Sequence, residues 1–249
     1  MDRRTLEALE LAPVAAWYGF EEEPPMRPAA DAQATAQAPG VGPAAHADAA
    51  AAGESPAPLP ASVAALGWHE LREAVRVCAA CGLCRQRKQA VFGVGHEAAP
   101  WLFIGEGPGA DEDEQGEPFV GQAGKLLDSM LAALGIARGR EVYIANVVKC
   151  RPPGNRTPTP EEAAACAPFL DRQIELIEPK LIVALGKTAA MRLLGTDASL
   201  ASLRGRLHRY RGTPLVVTYH PAYLLRNLPD KAKAWEDLLF ARRTLREAA

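Results

Sequence analysis

The stretch WLFIGEGPG, residues 101–109, joins a short apolar run to a turn that contains three glycines. Three more apolar runs follow: VYIANVV at 142–148, LIVALG at 181–186, and the second arm of a predicted hairpin, LHRYRGTPLVVTYH, at 207–220. Segments with helical periodicity separate these runs, and strands that alternate with helices are typical of a parallel sheet. We therefore predict an α/β fold, a single domain with a central four-stranded, mainly parallel sheet flanked by helices.

The predicted helices have recognisable ends. GKLLDSMLAALG at 124–135 has apolar residues at helical spacing and a closing glycine. The segment 160–178 opens with Pro160, Glu161 and Glu162, which suit the first turn of a helix. Three further helices are predicted, over residues 62–77, from about Lys187, and from about Asp230 to Glu247.

The chain of 249 residues is long enough for one ordinary domain and an additional segment. Its hydrophobic fraction of 48% supports a substantial core. The apolar runs all fall well short of the roughly 20 residues of a membrane span, and no signal-type stretch follows the N-terminal arginines. We therefore expect a cytoplasmic, monomeric protein without a membrane partner.

The N-terminal quarter differs in composition from the rest. Residues 21–61 are mainly Ala, Pro, Gly and acidic residues, which predicts a disordered linker. Residues 1–20 ahead of it suit a short amphipathic helix, interrupted near Pro13, that docks on a partner protein; the alternative is a frayed tail. The folded domain is predicted to span residues 62–249.

Charge is distributed unevenly along the chain. Residues 1–61 hold three arginines and nine acidic residues, whereas residues 62–249 hold 25 basic and 21 acidic residues. A mildly basic domain is compatible with nucleic-acid binding, although a solvated surface explains any single cluster equally well. The basic residues concentrate in three segments: Arg85, Arg87 and Lys88; Lys149, Arg151 and Arg156; and Arg204, Arg206, Arg209 and Arg211.

The five cysteines favour a metal centre over disulfides. Cys78 and Cys81 form a C-x2-C pair, and Cys150 and Cys166 lie far downstream, with Cys84 as a fifth thiol. An odd number of cysteines with a C-x2-C pair indicates metal binding. Four thiolates suit either a tetrahedral zinc ion or an iron–sulfur cluster.

Glycine or polar residues follow each of the predicted strands. The turn at 105–109 follows the first strand, Asn146 lies late in the second, Gly186 ends the third and His220 ends the fourth. Because ligands of open α/β sheets bind at the carboxyl ends of the strands, we expect these residues at one rim. The sequence therefore predicts a ligand-binding crevice there.

The turn at 105–109 allows backbone amides to approach a ligand closely, because glycine has no side chain. It lacks both the GxGxxG pattern and a Walker lysine, which argues against a nucleotide cofactor. Phe119 follows in the same glycine-rich region. It is either a core residue or an aromatic face for a planar ligand.

Asn146 and His220 each allow a structural and a functional interpretation. The amide of Asn146 lies in an apolar strand, where it must bond either to a neighbouring loop or to the edge of a base. His220, before a proline, either has a structural role or stabilises a leaving group that gains negative charge. Residues 223–226 suit a wedge into stacked bases or the first turn of a packed helix.

Three motifs, together with the four cysteines, carry a family resemblance. GEGPG and GEPFVG within 105–121, NVVKCRPPGNR at 146–156 and HPAYLLRN at 220–227 resemble the family 4, iron–sulfur uracil-DNA glycosylases. The resemblance covers about residues 65–247. It implies uracil-containing DNA as a partner; for the N-terminal peptide, outside the resemblance, a repair or replication protein is the expected partner. It also implies a 4Fe–4S cluster on Cys78, Cys81, Cys150 and Cys166, with Cys84 as a bystander.

The resemblance also implies roles for individual residues in hydrolysis of the N-glycosidic bond. Phe119 would stack on an extruded uracil, Asn146 would read its polar edge and His220 would face O2. The backbone around Glu106 and Gly107 would line the pocket and hold the attacking water. Further contacts with the base are implied for Gly105 and Glu112. The apolar and basic character of Leu224, Leu225 and Arg226 predicts that these residues contact DNA.

Two rival functions remain on sequence grounds. One is a non-catalytic nucleic-acid binding module that carries zinc or a cluster, but such a module needs no pocket around Asn146 and His220. The other is a glycosylase-like protein that bonds covalently to DNA through a histidine in an added basic loop. The segment 204–211 includes His208, yet no such insertion is visible there.

Overall fold

A computed structural model of the protein describes residues 63–247, so the predicted N-terminal helix and linker lie outside the described residues. One sheet runs through the domain, and three of its central strands are buried at every position, as expected of parallel strands with helices on both faces. The strands are β1 (Val94–Gly95), β2 (Trp101–Gly105), β3 (Val142–Asn146), β4 (Leu181–Leu185), β5 (Leu207–Tyr210) and β6 (Thr213–Thr218).

The sheet has the order β1-β3-β2-β4-β6-β5. The four central strands pair in parallel, which confirms the predicted α/β class and its parallel centre. The number of strands is six rather than four, because antiparallel β1 and β5 extend the two edges. Strand β1 has only two residues, too few for a periodic pattern, whereas β5 is the first arm of the predicted hairpin.

The predicted helices are all present, although the segment 62–77 is divided into a short 3₁₀ turn, Val63–Ala65, and a helix that begins at Trp68. No helix between residues 63 and 247 is long and apolar enough to cross a membrane. The α-helices are α1 (Trp68–Val77), α2 (Ala110–Gln115), α3 (Gln122–Ala133), α4 (Pro160–Ile177), α5 (Lys187–Leu194), α6 (Leu200–Leu203), α7 (Pro221–Leu224) and α8 (Asp230–Glu247).

The start of α4 shows how the local sequence fixes an element. Thr159 Oγ1 accepts a hydrogen bond from the Glu162 amide at 3.2 Å, and Glu162 Oε2 accepts one from the Thr159 amide at 2.8 Å. This reciprocal capping satisfies two amides that have no partner within the helix. Pro160 occupies the first helical position, where its missing N–H costs nothing.

Alternate strand residues pack against helices on opposite faces of the sheet. Leu102 and Ile104 of β2 belong to a core shared with α1, α4 and α5. Trp101 and Phe103 belong to a second core shared with α3 and α8. Because the four central strands run in the same direction, the carboxyl ends of β2, β3, β4 and β6 meet at one rim.

Candidate functional site

A cleft of about 790 Å³ lies at this rim. The segments that line it come from the ends of β2, β3, β4 and β6, so the sheet assembles a site from distant parts of the chain. It brings together six residues predicted from the sequence: Glu106, Gly107, Glu112, Phe119, Asn146 and His220.

The side chain of Asn146 is buried, with 2% of its surface exposed, and its Oδ1 has no hydrogen-bond partner among residues 63–247. A buried acceptor without a partner costs about 1–3 kcal/mol. Gly105, the neighbour of Asn146 across the sheet, leaves room for this amide. A Cβ atom at Gly105 would lie 2.5 Å from Asn146 Oδ1 and 2.6 Å from Phe119 Cζ. The oxygen therefore keeps a free capacity to accept a hydrogen bond.

His220 is the residue before helix α7 and caps its first turn. Its Nδ1 accepts a hydrogen bond from the Ala222 amide at 3.2 Å. Burial, followed by the Arg226 charge, lowers the pKa of His220 to about 4, against the opposite effect of Glu112. The imidazole is therefore neutral near pH 7. With Nδ1 as acceptor, its proton is on Nε2, where it can be donated to a ligand.

Phe119 is held in an uncommon backbone conformation, with φ of 56°, and only 5% of its surface is exposed. Its ring stacks on the His220 ring, with centroids 5.3 Å apart. The Arg138 guanidinium fixes this loop, because it donates to the carbonyls of Pro118 and Phe119, both at 2.7 Å. Arg138 lies in no motif, and sequence analysis therefore missed it.

Two carboxylates of the cleft have different surroundings. Glu112 accepts hydrogen bonds from the amides of Gly109, Val120 and Gly121 at 2.9–3.1 Å, so its oxygens hold two loops together at the cleft wall. Glu106 accepts one from the hydroxyl of Thr188, in the first turn of α5. Thr188 belongs to no motif, although its place directly after a strand and Gly186 is a signal for the rim.

A second cavity is lined by all five cysteines, so Cys84 lies beside Cys78, Cys81, Cys150 and Cys166. All five are free of disulfides. Burial raises the pKa of Cys150 to about 11 and that of Cys166 to about 12. Two cations oppose this effect: Arg87 Nη1 donates to Cys150 Sγ at 2.8 Å, and the buried ammonium of Lys149 acts on Cys166. Thiols in such surroundings lose their protons when a metal binds.

Within residues 63–247, no three Cys, His, Asp or Glu side chains are grouped for a single metal ion. The thiols instead surround a cavity. Cys166 accepts a hydrogen bond from the Lys149 amide at 3.3 Å, and Cys78 accepts one from the Ala80 amide at 3.5 Å. The donor set, with four thiols, two amides and two neighbouring cations, fits an anionic thiolate-bound group.

The sequence model of the uracil DNA glycosylase superfamily matches residues 92–239. The type-4 uracil-DNA glycosylase of Thermotoga maritima is 51% identical over 163 residues, which cover 65% of this chain and 84% of that protein. The chain belongs to the type-4 family of this superfamily. The type-4 glycosylase of Pyrobaculum aerophilum is 44% identical, with 68% of this chain and 90% of that protein covered. The type-5 enzyme of Thermus thermophilus is 33% identical, with 52% and 68% covered.

The expected DNA-contact loop of the glycosylase is only partly exposed. The expectation that Leu224 is an exposed wedge is wrong, because it is 1% exposed and packs with Leu126 and Tyr219. One turn of helix, α7, forms here and directs Leu224 inward. Leu225 is 41% exposed, Arg226 lines the cleft, and Leu228, which sequence analysis missed, is 60% exposed.

The basic segments of the glycosylase do not form simple surface clusters. Lys149 is 1% exposed. Arg204 pairs with Asp237 at 2.6 Å and lies over a tyrosine ring, while Arg211 pairs with Asp171 at 3.1 Å. The segment 204–211 also contains β5, so its two ends lie at opposite rims of the sheet. Part of the basic charge, on Arg204 and Lys149, is therefore largely buried within the domain.

Proposed function

We propose that the protein removes uracil from DNA by hydrolysing the N-glycosidic bond of an extruded deoxyuridine, which begins base excision repair. The main structural support for this proposal is the unpaired Asn146 Oδ1, which is buried in a cleft beside the stacked rings of Phe119 and His220. Membership in the type-4 family and the names of its relatives support the same reaction.

Asn146 is the residue that we assign to base selection. Its Oδ1 accepts from uracil N3–H, and its amide nitrogen donates to O4. Cytosine presents an acceptor and a donor at the same two positions, so it meets the wrong partner at each one. The face of Phe119 adds stacking, which does not distinguish between bases. Discrimination against cytosine therefore depends on the amide.

His220 is the residue that we assign to the leaving group. Uracil departs as an anion, and negative charge develops on O2 as the glycosidic bond breaks. A neutral imidazole that donates from Nε2 stabilises that charge without first having to bind a proton. Fixed donors of this kind contribute about 2.7–4 kcal/mol to transition-state stabilisation.

Glu106 is the residue that we assign to the attacking water. The Thr188 hydroxyl orients its carboxylate in the cleft. The Glu106 carbonyl accepts from the Val148 amide at 3.1 Å, which fixes the turn beside Gly107. A carboxylate held in this way can accept a proton from water that approaches the sugar, whose positive charge it also stabilises.

Extrusion of the base needs a group that enters the gap in the stack. Leu225 and Arg226 are exposed beside the cleft and are the residues that we assign to this contact. Leu224 is buried and supports the turn from within. Because extrusion costs least for poorly paired bases, uracil opposite guanine should be released faster than uracil opposite adenine.

We assign a 4Fe–4S cluster to Cys78, Cys81, Cys150 and Cys166. The thiols that surround one cavity, the cations Arg87 and Lys149, and the resemblance to the iron–sulfur family support this assignment. When bound, the cluster links two distant segments of the chain and adds negative charge. Zinc on the same thiolates is the alternative. Brown protein that absorbs near about 400 nm supports the cluster, whereas colourless protein with stoichiometric zinc contradicts it.

An assay on single-stranded DNA with one uracil tests the proposal. The expected result is free uracil and an abasic strand that shows no shifted band in a denaturing gel. A strand shifted by covalently bound protein would identify the covalent alternative. Binding without release of uracil would identify a binding module. A cytosine strand of the same sequence is the control and should stay intact.

A further inference from the structure

Lys149 is a buried lysine without a role in the proposed reaction. Its side chain is 1% exposed, and its Nζ donates to the backbone carbonyl of Asn146 at 2.9 Å. Its own amide donates to Cys166 Sγ at 3.3 Å. Lys149 also lines the cysteine cavity. One residue therefore contacts both the cysteine site and the strand end that carries the base-reading amide.

The surroundings of the ammonium group require a negative partner. A buried charge without one is costly. Within the described part of the chain, no carboxylate lies within ion-pair distance of Lys149, whereas the side chain lines the cavity of the cysteines. A centre of four thiolates there would supply the missing negative charge. The carbonyl of Asn146 fills one hydrogen-bonding position of the same ammonium.

We propose that Lys149 couples the thiolate centre to the uracil pocket. The negative charge of the centre holds the ammonium in place, and the ammonium holds the Asn146 carbonyl, which fixes the direction of the base-reading amide. Lys149 is thus a positioning residue that acts through Asn146. The expected effect on uracil release rests on the proposed function. The expected effect on the reduction potential rests on the cysteine site alone.

Arg87 provides a matched comparison. Its Nη1 donates to Cys150 Sγ at 2.8 Å, and its Nη2 donates to the carbonyl of Arg76 at 2.7 Å. It therefore adds a positive charge beside the same thiols but makes its other contact in α1, away from Asn146. Replacement of Arg87 changes the charge at the centre without removing the link to the pocket.

The experiment compares Lys149→Met and Arg87→Met in the full-length, metal-loaded protein. The reduction potential of the centre should become more negative in both variants, because loss of a nearby positive charge disfavours addition of an electron. Uracil release in single turnover should fall about 10-fold or more in Lys149→Met, as expected for loss of a charge-assisted hydrogen bond, and by less in Arg87→Met, whose contacts do not reach Asn146. Affinity for undamaged DNA should stay unchanged in both.

A third variant, Lys149→Gln, separates the two roles, because glutamine offers an N–H donor without charge. Its reduction potential should resemble that of Lys149→Met, while its uracil release should recover only in part, because the donor returns without the charge that holds it beside the centre. Equal losses of uracil release in Arg87→Met and Lys149→Met would overturn the coupling through Asn146, as would a normal rate in Lys149→Met. If Lys149→Met does not fold, a wild-type rate in a folded Lys149→Gln variant would overturn it.

Uracil release and the reduction potential of the wild-type protein are the reference measurements. If wild-type protein releases no uracil, the proposed function fails, whereas the potentials of the variants still test the electrostatic part. If uracil is released but both variants keep the wild-type potential, the function stands and the inference fails.

Discussion

The rings of Phe119 and His220 stack, with their centroids 5.3 Å apart and their planes inclined by 30°. Phe119 belongs to the loop that follows α2, and His220 follows β6, so the contact joins two distant segments at the cleft. A base placed against one ring is therefore within reach of the other. Asn146, on a third segment, lines the same cleft and offers its unpaired oxygen.

Asn146→Asp should slow uracil release more than it weakens DNA binding. The change keeps the size of the side chain, removes the N–H donor and adds a negative charge that repels the leaving anion. We expect a loss on the order of 100-fold or more in single-turnover rate, since one lost donor costs about 2.7–4 kcal/mol. His220→Ala should show a similar loss.

Binding isotherms for undamaged DNA at several salt concentrations provide the control for both variants. Neither side chain needs to contact phosphate, so affinity and its dependence on salt should stay as in the wild type. A normal cleavage rate with weakened binding would place both residues on the DNA-contact surface instead.

Gly105→Ala should impair uracil release while the cysteine site stays intact. The added Cβ would lie 2.5 Å from Asn146 Oδ1 and 2.6 Å from the Phe119 ring, so at least one of the two groups must move. Displacement of catalytic groups by about 1 Å can cost 100-fold in rate. Gly67→Ala is the control, because its Cβ would meet only an ordinary contact at 3.6 Å. Equal rates in the two variants would contradict this account of the cleft.

The parallel centre of the sheet and the rim of the site were predictable because each central strand is a continuous apolar run followed by glycine or a polar residue. Gly105, Asn146 and His220 could be placed from this pattern alone. The edge strand β1 was not predictable, since two residues carry no periodicity. The exposure of Leu224 was predicted wrongly because its burial depends on α3 and the start of α8, which are distant in sequence.

A second limit on prediction from sequence concerns supporting residues, of which Arg138, Thr188 and Lys149 are examples. Each acts through a partner that is at least three positions away and that no motif identifies: the Phe119 carbonyl, the Glu106 carboxylate and the Asn146 carbonyl. In the sequence Lys149 belongs to a basic cluster, and only the packing around it shows that the charge is internal. Such supporting contacts need three-dimensional structure.

Cys150→Ala should remove the metal centre and destabilise the fold, whereas Cys84→Ala should keep both. Cys150 is buried and has a cationic partner, while Cys84 lies at the partly exposed side of the same cavity. Metal binding and folding are coupled when the ligands come from distant segments. Visible absorbance and urea unfolding of both variants measure the two effects. Loss of the absorbance in Cys84→Ala would make that thiol a ligand.

A chain that begins at Ala61 should keep full uracil release from a short oligonucleotide. The cleft and the cysteine cavity are built from residues between Val75 and Arg226, and the composition of residues 21–61 cannot bury a core. Rates and unfolding midpoints of the full-length and shortened proteins should agree. An unfolded or inactive shortened protein would show that the predicted linker belongs to the domain.

His220 should make the protein less stable in acid. Its pKa is lowered to about 4 in the folded protein from an ordinary value of 6.5. Above pH 6.5 the imidazole is neutral in both states and adds no pH dependence. Between pH 6.5 and 4 the unfolded chain takes up a proton that the folded protein does not, so the free energy of unfolding falls, by about 2–3 kcal/mol at pH 4.5.

His220→Gln should remove this part of the acid sensitivity, because glutamine does not titrate. Urea unfolding midpoints at pH 7 and pH 4.5 measure the difference, with His69→Gln as the control, since His69 is exposed and should leave the wild-type behaviour unchanged. Uracil release by the wild-type protein should persist to about pH 5, since the imidazole that faces the leaving group stays neutral until its folded pKa is approached. An equal fall in midpoint for the His220→Gln and wild-type proteins would show that other groups cause the acid sensitivity.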